Sequence, residues 1–394
     1  MDDVLVSNDF HPTVGGAHTW AYEVYRRWPA PVAVLTTAYS RNRSDAERQR
    51  EFDRRDHGSL KIHRQVVPIS DVDVRSLRCW ANFFSHAALI GRLVQNSAVR
   101  LHSLRAFPEG FAAYLHRLTH RRPALLITYA HGEEVLVSRS SLQLKLIARR
   151  VYAASDLVIA NSESTRRLVL ELCPSATITC IHPGVDVAAF SRSSIERDAC
   201  RARWGWSADT VVVFTLGRME PRKNHAMVMR AVARLVQRGF PVAYLCGGDG
   251  EEREGLVKLA FELGMSDRVR FTGKIAESDK ALMYSAADIY AMPSIRVGEM
   301  IEGFGIVFLE AAAAGLPSVA GNNGGQAEAV IDGRTGLIVD GTSADAVASA
   351  IARLVEDAGE RLRMGEAGRA WALEHDWQNV KDRTLAEIGR LKTG

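Results

Sequence analysis

Short apolar runs recur along the chain, each followed by a stretch with helical patterning. Six lie in the first half, at 3–7 (DVLVS), 32–37 (VAVLTT), 59–63, 98–104, 124–128 (ALLIT) and 156–160 (DLVIA). They read as buried strands. A second series follows: TITCIH within 174–195, VVVFTL from 211 to a turn at Gly217, PVAYLC from 241, VRFTG from 269 and ADIYAMPS at 287–294. Strands alternating with helices predict parallel sheets with crossover connections. Ligands of such sheets bind at the carboxyl ends of the strands.

A chain of 394 residues is too long for one ordinary core, so two domains are expected. Between the two series lies Pro183-Gly184-Val185-Asp186 and a polar stretch, the composition of a linker. The predicted boundaries are 1–185, 186–375 and a closing segment 376–394. The 47% apolar and 24% charged content is that of a soluble globular protein. No apolar run reaches the roughly 18 residues of a membrane span, and no secretory signal opens the sequence. Five scattered cysteines (79, 173, 180, 200, 246) lack metal spacing and read as reduced thiols, which predicts a cytoplasmic location. A net charge of +4 is too small to argue for nucleic acid; it permits acidic substrates or an anionic membrane surface.

The candidate chemistry sits in loops after strands. After the first strand, Gly15-Gly16 precedes a helix, a geometry that lets backbone amides approach a phosphate. Tight turns between strand and helix use glycine pairs everywhere, so the pair alone decides nothing. His102, inside VRLHSLR, reads as a buried strand histidine rather than a catalyst. His131 in ITYAHGEEV directly follows a strand and is ambiguous by itself. Glu134 is a candidate for orienting groups near an acceptor; the alternative is a helix N-terminal carboxylate favoured there by the dipole. In the second half, GRMEPRKNH places Arg218 and Lys223 at a strand end, five residues apart, well placed for one anion. The alternative is two surface cations beside Glu220. The stretch EGFGIVFLEAAAAG, 302–315, joins Glu302 through a Gly-Phe-Gly turn to an apolar helix carrying Glu310. The helix start at Phe304–Ile306 suits a phosphate. Eight helical residues span roughly 12 Å, close to the separation of the two ends of a nucleotide sugar. The alternative is a helix whose two Glu are solvated or capping.

Residues 302–341, with Glu302 and Glu310 as an E-x7-E pair, resemble the donor-binding region of retaining glycosyltransferases of family 4. The N-terminal glycine loop, the His131-Gly132 pair, Arg218 and Lys223 as G-R-x4-K, and Pro183-Gly184-Val185-Asp186 match weaker elements over most of the chain, although the usual Asn of the last is absent. The resemblance implies the GT-B fold: α/β, two Rossmann-like domains facing across a cleft, with the final helix crossing back to the first domain. It implies that His131 and Glu302 contact the reacting sugar as catalytic residues. Gly15, Gly16, Arg218, Lys223 and the helix start at Phe304, Gly305 and Ile306 would bind the donor diphosphate. Main-chain contacts near Gly273, Lys274 and Ile275 would hold the base, and Glu310 the ribose. No metal or other cofactor is expected, because the cations already face the diphosphate. The implied activity is retaining transfer of a hexose from a nucleotide-diphosphate sugar, leaning to GDP-mannose, to a lipid-linked, glycan or small-molecule acceptor. Front-face attack is the economical route, since no carboxylate stands out as a nucleophile.

Segment 41–64 holds eight Lys/Arg and five Asp/Glu. It reads as a solvated helix face or a loop; in the family such segments often meet the acceptor or the membrane, so a peripheral contact at the inner membrane face is compatible. Three rivals stand. Asp71-Val72-Asp73 has the D-x-D form of a metal-dependent GT-A transferase. A dinucleotide oxidoreductase would need G-x-G-x-x-G with an acidic residue about 20 further on, which does not open this chain. A non-catalytic carbohydrate- or lipid-binding module could share the fold.

Overall fold

The computed structural model describes residues 2–13, 15–66, 76–94, 99–119, 124–190 and 194–391. Asp71 and Asp73 lie outside them. The chain forms two compact units, Met1–Pro183 with Trp377–Gly394, and Gly184–Asp376.

The first unit is built on a seven-stranded parallel sheet: β1 (Asp2–Ser7), β2 (Val32–Thr37), β3 (Leu60–Val66), β4 (Val99–Ser103), β5 (Ala124–Ala130), β6 (Leu157–Ala160) and β7 (Ile178–Cys180), in the order β3-β2-β1-β4-β5-β6-β7. β5 is a nearly continuous apolar run and β1 is buried from Asp3 onward, as strands covered on both faces must be. Helices Gly16–Arg26 and Leu77–Val94 are among those that cover it, and Trp377–Gly389 packs on the former within this unit. β5 runs two residues past the predicted ALLIT segment, because Tyr129 and Ala130 pair with Ile159 and Ala160. His131 therefore begins the loop.

The second unit has six parallel strands: β8 (Val211–Leu216), β9 (Val242–Gly247), β10 (Val269–Gly273), β11 (Ile289–Met292), β12 (Ser318–Gly321) and β13 (Gly336–Val339), in the order β10-β9-β8-β11-β12-β13. Phe214, Leu245, Tyr290, Phe308 and Leu309 are fully buried in its core. In each sheet the strand order reverses once. The reversal falls between β1 and β4 in the first unit and between β8 and β11 in the second. Such switch points leave a crevice beyond the strand ends.

The charged segment 41–64 contains helix Arg43–Asp53, capped by Asn42 and mostly exposed. Arg43 pairs with Glu47 at 3.2 Å, Arg55 with Glu51 at 2.8 Å, and Arg64 with Asp53 at 2.8 Å. The first two pairs are exposed and suit the solvated-face reading, whereas the Arg64 and Asp53 side chains are largely buried, at 2% and 15% exposed.

Candidate active site

In the second unit the loop after β8 is locked before any ligand arrives. The Gly217 amide donates to Gly247 O (3.1 Å), Met219 to Asp249 O (3.0 Å) and Glu252 to Met219 O (3.0 Å). Close approach requires glycine in the facing turn: a Cβ on Gly248 (φ +115°) would lie 1.9 Å from Gly217 O. Asn224, left-handed at φ 62°, donates through Nδ2 to Pro293 O (3.0 Å) and Gly341 O (2.8 Å). That ties the β8 loop to the segment after β11.

The structure brings Lys223 and Glu302 together. The Lys223 ammonium donates to Glu302 Oε2, and Arg222 Nη1 lies 3.3 Å from the same oxygen. Burial would raise the Glu302 pKa, but Lys223, first by its charge, and Arg222 outweigh that and hold it below the ordinary carboxylate value. Glu302 is thus an anion fixed between two cations. Arg222 also sits 2.7 Å from Glu220, whereas Arg218 is 74% exposed and reaches Glu220 only at 3.6 Å. The cation held in the interior beside Lys223 is therefore Arg222, which the sequence reading missed. Its position in the Arg-Lys dipeptide gives no signal of that.

Glu302 does not lie on the helix. The helix is Ile306–Ala313, started by Gly305 at φ 88°. A Cβ there would meet the Phe308 ring at 2.7 Å. The four residues before Ile306 form the turn that carries Glu302, so the helical rise does not measure the Glu302–Glu310 separation. The Gly-rich run after β12 has a definite task. Gly325 N donates to Glu302 O at 2.9 Å, and a Cβ on Gly324 (φ +70°) would fall 2.3 Å from that oxygen. Phe304 is 2% exposed and belongs to the core, so only its backbone can face a ligand. Ile306 opens the helix, whose first-turn amides precede the intrahelical ladder.

Glu310 is buried and takes Lys280 Nζ at 3.0 Å and Tyr284 Oη at 2.8 Å. Burial alone would lower the Lys280 pKa; Glu310 and Glu277 raise it above its usual value instead. Neither Lys280 nor Tyr284 was identified from sequence. Gly273 (φ +68°) closes β10 and accepts from the Gly248 amide at 3.0 Å; Lys274 is exposed and Ile275 half-buried.

In the first unit three loops converge at the β1/β4 reversal and its neighbour β5. Gly15 is extended at φ 176° and Gly16 opens the helix, where Thr19 N donates to Gly15 O at 2.9 Å. His131 is fixed on every side. Its amide donates to Glu134 Oε1 (2.6 Å), its carbonyl accepts from Asn161 Nδ2 (3.1 Å), and its Nε2 lies 3.1 Å from Leu104 O. A carbonyl only accepts, so Nε2 carries the proton and Nδ1 the lone pair. Burial, then the positive Arg105 and coupling to His18, push His131 down to about 3, so it is neutral near pH 7. Around it stand residues the sequence reading did not name. Arg105 is flanked by Glu109 and Glu134. Glu109 accepts the Asn8 amide at 2.9 Å through one oxygen, while its other is buried with no hydrogen-bond partner among the described residues. Burial holds the pKa values of both Glu109 and Glu134 up. His18 is buried, and among the described residues its nitrogens find no hydrogen-bonded partner beyond an approach to the Thr13 backbone. His102 is a wholly buried strand residue bonded to Asp3 and Tyr25.

Two units, each a parallel sheet whose candidate residues lie at the point where the strand order reverses, have the architecture of the GT-B fold. Residues 196–371 match the family described as "Glycosyl transferases group 1", and residues 14–189 match "Glycosyltransferase Family 4". The chain belongs to glycosyltransferase family 4 and is a glycosyltransferase that uses a nucleotide-diphosphate sugar. It is 34% identical over 373 residues to a GDP-mannose-dependent alpha-(1-6)-phosphatidylinositol monomannoside mannosyltransferase of Mycobacterium tuberculosis, covering 93% of this chain and 92% of that one. It is 38% identical over 247 residues to a D-inositol 3-phosphate glycosyltransferase of Mycobacterium bovis, covering 61% and 50%. Among solved structures, Anabaena HepE in complex with UDP superposes with TM-score 0.81 at 20% identity, covering 99% of this chain and all of that one. Sucrose-phosphate synthase from Thermosynechococcus elongatus gives 0.79 at 22% identity, covering 99% and 98%. Among the described residues no helix is long and apolar enough to cross a membrane.

Proposed function

We propose that the enzyme moves a mannosyl group from GDP-mannose to a lipid-linked acceptor, with retention and without a metal ion. The observation that carries this reading is the Lys223–Glu302–Arg222 cluster at the second unit's switch point. Lys223 and Arg222, with the exposed Arg218 and the amides of the helix start, supply preorganised positive potential for a leaving diphosphate. Glu302 is bound in two ion pairs, which makes it a poor nucleophile and a good hydroxyl acceptor. That supports front-face attack, in which the departing phosphate takes the acceptor's proton. Glu310, steadied by Lys280 and Tyr284, keeps lone pairs for the ribose hydroxyls. The backbone around Gly273–Ile275 serves the base in this reading. In the first unit Gly15 and Gly16 offer amides to the diphosphate. His131 is neutral, so it acts as a hydrogen-bond acceptor at Nδ1 for a sugar hydroxyl and not as a general acid.

The names of the two mycobacterial relatives both carry an inositol phosphate, which supports an acceptor bearing that group. Contact with the inner face of a membrane belongs to the same proposal, since a lipid acceptor sits there. Thermal-shift screening against GDP-, UDP- and ADP-sugars tests the donor; a ligand at 100 times its Kd adds about 2.7 kcal/mol of stability. Stabilisation by GDP-mannose alone is expected. Stabilisation by a UDP- or ADP-sugar instead would overturn the donor assignment.

A further inference from the structure

One buried polar chain in the first unit has no part in the site as described. It begins at Asp3, whose carboxylate accepts from Arg100 Nε (2.7 Å) and Nη2 (2.6 Å), Trp28 Nε1 (3.0 Å) and His102 Nε2 (2.9 Å). It continues from His102 Nδ1 to Tyr25 Oη (2.7 Å) and from Tyr25 Oη to Tyr129 Oη (2.7 Å). His102, Tyr25 and Tyr129 are at most 2% exposed. Each hydrogen in this chain has one possible place. Asp3 only accepts, so His102 Nε2 must donate to it and His102 Nδ1 must accept. Tyr25 then donates to Nδ1 and accepts from Tyr129. Burial would raise the Asp3 pKa, but His102 and Arg100 bring it to about 2, while burial keeps the His102 pKa below its ordinary value. The directions of the bonds therefore do not change with pH in the neutral range.

The chain ends two residues before His131. The Tyr129 ring lies parallel to the His131 ring (7° between planes, centroids 6.5 Å apart), and Trp20 stands edge-on to both, at 5.3 and 5.5 Å. Trp20 and Tyr25 share helix Gly16–Arg26, whose start is the glycine loop. A hydroxyl bond 2.7 Å long thus joins the helix behind Gly15-Gly16 to the strand that presents His131.

We propose that Tyr25 and Tyr129, held in one direction by His102 and Asp3, are positioning residues that fix the His131 ring and the glycine loop relative to each other. Neither touches substrate. A packed ring tied by its hydroxyl cannot slide along the strand, and a catalytic group displaced by a fraction of an ångström loses turnover more than binding. This rests on the proposed role of His131.

The test is steady-state kinetics with GDP-mannose and acceptor on Tyr25→Phe, Tyr129→Phe, His131→Ala, the double variant Tyr129→Phe/His131→Ala, and Val24→Ala. Val24 lies on the same helix, is fully buried and is outside the chain of hydroxyls, so it controls for lost packing. Tyr25→Phe and Tyr129→Phe are expected to lower kcat about tenfold with donor KM within twofold. Val24→Ala is expected to keep kcat at a comparable fall in Tm. In the His131→Ala background, Tyr129→Phe is expected to cost nothing further. Should Tyr25→Phe fail to fold, Tyr129→Phe decides alone. Parental kcat in Tyr129→Phe, an equal loss in Val24→Ala, or an undiminished Tyr129→Phe effect without His131 would overturn the inference while leaving His131 in place. Parental kcat in His131→Ala would instead overturn the role of His131 and the inference with it.

Discussion

Replacing Glu302 with Gln removes one negative charge and keeps shape and acceptor oxygen. In the native site that charge meets Lys223 and, at 3.3 Å, Arg222, with all three side chains no more than 13% exposed. Each contact is worth about 4 kcal/mol of gross attraction at an effective dielectric of about 20, much of it offset by desolvation. Because Gln still accepts from Lys223 and Arg222 keeps Glu220, the expected loss of stability is only about 1–3 kcal/mol. The kinetic effect differs in kind. Without the carboxylate the two cations attract the donor diphosphate at least as strongly, so donor KM should hold or fall. The hydroxyl contact that strengthens as charge develops on the sugar is weakened, so kcat should fall roughly 10²-fold, about 2.7 kcal/mol of barrier. The native pKa of Glu302 lies below its ordinary 4.5, so the ion pairs stabilise the fold above that pH and their contribution is lost as pH falls through the native value. That acid-side loss should be smaller in Glu302→Gln. Initial-rate kinetics with GDP-mannose, alongside chemical denaturation between pH 3 and 7, measure both. A folded variant with kcat within threefold of the parent would refute the reasoning.

Glu310→Gln should raise donor KM with a smaller fall in kcat, because its proposed partner is remote from the bond that breaks; a donor titration at saturating acceptor checks this. His131 and His18 are both held down at about 3, so the unfolded chain binds more protons between there and pH 6.5. Stability from each is complete above about pH 6.5 and falls with pH below it, by up to about 1.4 kcal/mol per pH unit per group; the pH slope of unfolding should flatten in His18→Ala. Turnover should survive EDTA, since in the proposed site Lys223, Arg222 and Arg218 supply the positive charge at the diphosphate; full loss restored by manganese or magnesium would count against this.

Where a feature is written in local pattern, the sequence shows it. Val32–Thr37, apolar and rich in β-branched residues, forms β2 without displacement. The cations after β8 and the carboxylates around residues 302–310 fall at a switch point, since strand and glycine signals locate strand ends. What escaped depends on contacts far along the chain. Glu302 looked helical because the Gly-Phe-Gly turn resembles a helix start; its position is set by the amide of Gly325, 23 residues on. Arg218 and Arg222 are alike in sequence, and only tertiary packing buries one and exposes the other. Lys280 meets Glu310 across 30 residues, and Asp3 meets His102 across 99. No periodicity carries such pairs.

The most direct test follows the anomeric proton by NMR while the purified enzyme, in EDTA, consumes GDP-mannose with phosphatidylinositol-type lipid in vesicles. The account expects one GDP per transferred mannose and a product with the donor's own α configuration. It also expects both signals to vanish in a folded variant carrying Lys223→Met. Release of GDP with an inverted β-mannoside, or no turnover of any nucleotide sugar by the parent enzyme, would contradict it.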